Sequence, residues 1–192
     1  FFISIFIFIF SFGPEKETLS ILGIGILWTL LLLSSTLSLR KFYQEDFDNG
    51  NLILMHLNGF SYELISILKT ISHFIFVQIP FLISIPIASL LLDITYDKLV
   101  LLLISFLIGS LILSCLGSIS ASMNLLNNRN YLLGSVIVII FSVPAVIFSV
   151  GLINSNESYD SLINILFGIL LIVFAINPWA SGACLKLALQ NN

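Results

Sequence analysis

Charge is what this sequence has least of. Its 192 residues include seven Lys and Arg and ten Asp and Glu, so that 9% are charged while 58% are apolar. A soluble domain carries about 25% charged residues, and so few could not cover its surface; the composition is that of a membrane protein. Cysteine is equally sparse. Cys115 and Cys184 form no spaced cluster, which excludes a disulfide framework and a zinc site, and each reads as a small apolar filler. No linker, internal repeat or low-complexity tract divides the chain, so a single domain is expected over 1–192. No basic patch points to nucleic acid.

Several motifs are missing as well. Without a G-x-x-x-x-G-K-[ST] loop the chain cannot bind ATP in the P-loop manner, and any ATP belongs on another polypeptide. There is no G-x-S-x-G, no H-E-x-x-H and no carboxylate pair inside an apolar run, so nothing suggests an intramembrane hydrolase. Ion-coupled carriers place carboxylates or cations at membrane depth. Here the complete apolar runs hold no ionisable residue except His73, near a helix end, which disfavours a secondary carrier or an ion channel.

What is present is a series of long apolar runs. Five, at 19–39, 71–92, 99–122, 131–153 and 161–183, contain no Lys, Arg, Asp or Glu, and each is long enough to cross a bilayer. The opening FFISIFIFIFSF, residues 1–12, would reach only about 18 Å as a helix against a core of about 30 Å. It reads as a spanning helix whose beginning is absent, preceded in the full protein by an interfacial helix. Runs that are continuously apolar, without alternation, exclude a closed β-barrel. The expected fold is an all-α membrane protein, a six-helix transmembrane bundle with its first helix truncated. If residues 40–70 face the cytoplasm, that side holds Arg40, Lys41, Lys69, Arg129 and Lys186, against Lys16 and Lys98 on the other. The positive-inside rule then puts both ends of the chain in the cytoplasm.

Inside the runs a few residues stand out. His56 and His73 could each ligate an iron, although a lone interfacial histidine more often serves as a hydrogen-bonded boundary residue. Pro80 and Pro86 in one run and Pro144 in another remove backbone donors, and they are candidates either for packing kinks or for a bent gate helix. Pro178 falls near the end of the last run. The stretch GSLILSCLGSISAS from Gly109 is rich in small residues, which suits close helix packing within the subunit or, second, a dimer interface.

The chain concentrates its polarity in RKFYQEDFDNGNLILMHLNG, residues 40–59, where Arg40, Lys41, Glu45, Asp46 and Asp48 fall within nine positions. Gly50 allows a sharp turn, Asn49 and Asn51 suit helix capping, and Leu52 and Met55 share a helix face. A short helix along the cytoplasmic surface is expected, with Leu52 and Met55 as the apolar contact for a partner's groove and Glu45 and Asp46 as orienting rim charges. An ordinary solvated connector is the alternative.

This pattern resembles the cytoplasmic segment between the second and third helices of type-2 ABC transporter permeases. FGPEKETL before the second run, LLSSTLSLRKFYQEDFDNGNL through the charged segment, Lys69, His73, Pro80 and Pro86 in order, and the closing NPWASGACLKLAL are similar to the cytochrome c maturation protein B family, also called haem exporter protein B. The likeness covers essentially the whole chain. It departs at Ile53, where the family commonly has an acidic residue, and at Asn58-Gly59, where proline is usual.

The resemblance implies a transmembrane subunit, two copies of which pair with two ATP-binding subunits beside the other maturation proteins and a haem chaperone. It implies a bacterial inner membrane or a mitochondrial one. No firmly bound cofactor is expected; haem is a candidate substrate, and ATP sits on the partner. Bare apolar runs offer no polar tunnel for the propionates of haem, which leans toward release of a loaded chaperone over export of haem itself. A membrane assembly or scaffold protein without a transport cycle would share the same composition.

Overall fold

The computed structural model describes residues 2–12, 16–126, 132–154 and 159–190, and among them every regular element is helical. In chain order these are α1 (Phe2–Phe12), α2 (Lys16–Ser38), a 3-10 turn (Leu39–Lys41), α3 (Gln44–Asp48), α4 (Asn51–Leu57), α5 (Tyr62–His73), a π turn (Phe74–Gln78), α6 (Ile79–Leu91), α7 (Tyr96–Leu126), α8 (Leu132–Asn154) and α9 (Tyr159–Gln190). Residues 127–131 and 155–158, with Arg129, lie outside the described residues.

Among the described residues four helical stretches are long and apolar enough to cross a membrane: Tyr62–Leu91, Tyr96–Leu126, Gly134–Asn154 and Tyr159–Gln190. The first, third and fourth bury 28%, 33% and 6% of their most apolar stretch inside the protein, whereas α7 buries 61%. The order follows from packing. α7 lies at the centre, touching α2, α5, α6, α8 and α9, and its small residues let those neighbours approach. The most apolar part of α9 keeps its large side chains outward: Phe167, Leu171, Ile172, Phe174 and Trp179 are exposed, as suits a lipid-facing helix.

Two apolar clusters result. The larger runs through α1, α2 and α6–α9 and is centred on Trp28, Phe106, Leu102 and Ile112. Trp28 is almost wholly buried, its ring centroid 4.5 Å from that of Phe106, and its indole occupies the space where a β-carbon on Gly109 would stand. The smaller cluster gathers Phe42, Tyr43, Leu52, Ile65, Ala121, Leu125, Leu185 and Ala188 at the charged end of the bundle. It joins the 40–57 segment to the ends of α5, α7 and α9.

The run expected at 71–92 belongs to a longer helix that begins at Tyr62, capped by Ser61, whose Oγ accepts from the Leu64 N–H at 3.3 Å. It widens into the π turn at Phe74–Gln78, one turn before Pro80, which has no N–H for the carbonyl of residue 76. Pro86, Pro144 and Pro178 lie inside α6, α8 and α9, and none of these helices is interrupted at its proline.

Candidate functional site

The charged segment folds as two short helices joined by a glycine turn. α3 ends at Asp48, and Gly50 takes the left-handed conformation, φ +73°, as the residue before α4. The cap expected from Asn49 or Asn51 is thus Gly50; the Asn51 side chain instead donates to Asp46 Oδ1 at 3.1 Å. At the far end the Phe60 N–H donates to Met55 O at 3.2 Å and the Gly59 N–H to His56 O at 3.0 Å, with Gly59 at φ +93°. These are the paired bonds of a Schellman motif. They explain how Asn58-Gly59 closes α4 where the resembling family would use proline.

In this chain α4 turns Leu52 and, in part, Met55 toward its own helices. Leu52 is fully buried and Met55 half-buried, both against the smaller cluster of this chain. Burial is decided here by the ends of α5, α7 and α9, which sequence spacing did not reveal. The outward apolar residues are Ile53, Leu54 and Leu57, 44%, 56% and 75% exposed. Asp46 has a partner within the chain. It forms an ion pair with Lys69 of α5, bracing α3 against the membrane helix, while Glu45 stays exposed.

Beneath this segment lies a buried polar seam. Tyr43 Oη is 2.7 Å from Ser118 Oγ, Ser118 donates to Ser181 at 3.1 Å, Ser181 donates to Asn177 Oδ1 at 2.9 Å, and Asn177 Nδ2 donates to Thr70 Oγ1 at 2.9 Å. Thr70 in turn donates to the Ser66 carbonyl at 2.8 Å. Since the Ser118 proton points at Ser181, Tyr43 is the donor in the first bond. Burial pushes the Tyr43 phenol up to about 12, against the opposing pull of its Ser118 bond, so it keeps its proton at neutral pH. The chain of donors ties the 40–57 segment to α7, α9 and α5 in one direction. In a low-dielectric interior each unmade bond would cost more than in water.

His73 sits at the edge of this seam. Its Nε2 is 2.8 Å from Ser38 Oγ and its Nδ1 3.1 Å from Ser114 Oγ, and Phe42 stacks on the ring at a centroid distance of 4.6 Å. Both nitrogens are occupied and one face is covered, so in this arrangement His73 has no nitrogen free for iron. His56 lies on exposed α4, its Nδ1 donating to Phe60 O at 3.1 Å and its ring stacked on Tyr62 at 4.1 Å. The two histidines are held apart in separate settings. No group of three or more His, Cys, Asp or Glu that could hold a metal occurs among the described residues.

Sequence reasoning missed Gln78 and read the serines of α7 only as small packing residues, not as hydrogen-bonding ties. Gln78 is fully buried in the π turn, with Nε2 donating to Ser35 Oγ of α2 at 2.9 Å and Oε1 unpartnered among the described residues. The available signal was a lone amide inside an otherwise apolar run.

A central helix rich in small residues, flanking helices with exposed apolar faces and a folded polar segment at one end define a multi-pass helical membrane protein. Comparison with known proteins narrows the class. The CcmB protein family model matches residues 1–188, and the chain belongs to that family. It is 32% identical to "Heme exporter protein B" of Paracoccus denitrificans, covering 94% of this chain and 84% of that protein. It is 30% identical to the protein of the same name from Bradyrhizobium diazoefficiens, over 92% and 82% of the two chains, and 28% identical to that of Haemophilus influenzae, over 93% and 82%.

Proposed function

We propose that this chain is the transmembrane subunit of an ABC-type complex in a bacterial inner membrane that serves haem delivery for cytochrome c maturation, and that α3 and α4 are where a separate ATP-binding subunit acts on it. The relatives named as haem exporters support the haem assignment. The observation that carries the coupling reading is the outward apolar face of α4. Ile53, Leu54 and Leu57 are exposed beside Glu45, while Leu52 and the Asp46–Lys69 pair anchor the same segment to the ends of the membrane helices. A push on that face would move α5 directly through Lys69, and α7 and α9 through Leu52 and Tyr43.

The mechanical form of the reading, release of a haem-loaded chaperone, draws support from the interior. Most of the described buried hydroxyls bond one another or their own helix, so few inside the bundle are left for the propionates of haem. The test is co-purification of the ATP-binding subunit. Leu54→Asp/Leu57→Asp should reduce its recovery at least tenfold, as central apolar contacts do in interfaces, with normal membrane insertion. Leu52→Asp should instead lower the amount of folded protein, since it buries a charge. Full recovery of the subunit with Leu54→Asp/Leu57→Asp, and full cytochrome c maturation, would leave an assembly protein without a transport cycle as the better reading.

A further inference from the structure

Where α2 gives way to the 3-10 turn, a groove of about 220 Å³ opens between that turn and α5. Its upper rim carries Lys41 and Lys69, and Ser38 and Ser72 contribute hydroxyls. Phe42, stacked on His73, also lines it. Its lower wall is Phe76 and Val77, and Phe76 is 78% exposed. Along α5 and into the π turn the lining therefore passes from Lys69 to Phe76 and Val77 within about two turns, some 10 Å along the helix axis.

We propose that this groove binds an anionic phospholipid, with the headgroup phosphate between Lys41, Lys69 and Ser72 and one acyl chain running down Phe76 and Val77. An amphiphile with a negative head and an apolar tail matches both ends of the groove, and basic pockets between membrane helices suit such headgroups. The charge is unevenly shared. Lys69 already pairs with Asp46 and feels Glu45, whereas Lys41 is exposed and has no ion pair with a described residue. Lys41 is thus the principal cation. Ser72 is exposed on α5 and bonds no described residue, leaving its hydroxyl to donate.

Haem, also an anionic amphiphile, fits less well. Its iron would find His73 with both nitrogens bonded to serines and one face under Phe42.

The experiment is native mass spectrometry of the full natural chain, stripped of lipid in detergent and titrated with dioleoyl-phosphatidylglycerol or dioleoyl-phosphatidylcholine. Phosphatidylglycerol should bind at least about tenfold more tightly. A surface lysine contributes about fivefold to anionic-lipid affinity, so Lys41→Gln should lose about that much, Lys69→Gln less, and Lys41→Arg almost nothing. Lys98→Gln, on α7 at the opposite end, should leave binding unchanged. Thermal unfolding confirms that each variant is folded, and Lys41, being exposed, is the variant least able to disturb the fold.

Equal affinity for the two lipids, or an unaltered phosphatidylglycerol affinity in Lys41→Gln, overturns the proposal. Displacement of phosphatidylglycerol by soluble glycerol phosphate at comparable concentration would make the site one for free phosphate esters and overturn the lipid assignment. Displacement by equimolar haem would assign the groove to haem.

Discussion

The two halves of α7 use the same residue for opposite ends. In the first half Ser105 and Ser110 turn back on their own helix, donating to Leu102 O and Leu107 O at 2.9 Å, and the contacts with neighbouring helices are made by Phe106 and Gly109 against Trp28. In the second half Ser114 and Ser118 reach across to His73, Tyr43, Ser66 and Ser181. All four serines are fully buried. What differs is the neighbour. A serine facing apolar side chains satisfies itself on a carbonyl one turn back, whereas one facing another polar group becomes a tie between helices. Packing on Trp28 holds the first half of α7, and Ser114 and Ser118 tie the second, where Ser122 still turns back on Ile119 O.

Substitutions can break that contrast, and the largest effect is expected where shape decides. Gly109→Leu puts a side chain where the Trp28 indole lies. A rigid ring cannot yield as a flexible chain would, so overpacking should cost about 1–3 kcal/mol, read as a lower midpoint of unfolding in detergent with a change in Trp28 fluorescence. An unaltered midpoint would mean that α2 and α7 are not closely packed here. Next comes Ser118→Val, which removes the hydroxyl at the junction of the seam and has the shape of the Ser118→Thr control. It strands the Tyr43 donor and should cost about 1–3 kcal/mol; Ser118→Thr, which restores a hydroxyl, should recover most of it. The smallest change is expected for Ser110→Ala. The carbonyl it bonds already belongs to the helix ladder, so the midpoint should shift by no more than about 0.5 kcal/mol equivalent. A loss as large as that for Ser118→Val would erase the distinction between the two halves.

Much of this was legible in the sequence, and the reason is the membrane. Long apolar runs free of charge can be little other than helices, and the small-residue stretch from Gly109 marked the helix that packs most closely. The polar stretch at 40–59 was equally visible as a separate segment with a turn at Gly50. What the sequence did not disclose was direction. Leu52 and Met55 share a face with each other, but only the ends of α5, α7 and α9 decide that this face turns inward, leaving Ile53, Leu54 and Leu57 outside. Asp46 likewise resembles any acidic surface residue until Lys69, 23 positions away, is folded beside it. His73 was conspicuous alone, yet its role depends on Ser38 and Ser114, which are unremarkable in sequence.

The π turn before α6 also alters phase. Along α5 the buried residues Ser66, Thr70 and His73 step by three or four, but the next is Gln78, five further on; beyond it Ile85, Ala88 and Leu92 step by three or four again. One surplus residue has been taken up inside the helix, a displacement of about 100° in azimuth. Without it, the inward faces on the two sides of Pro80 would point to different neighbours. The wide turn works like a leap day, a single added unit that keeps two otherwise regular calendars aligned on the same wall of α7.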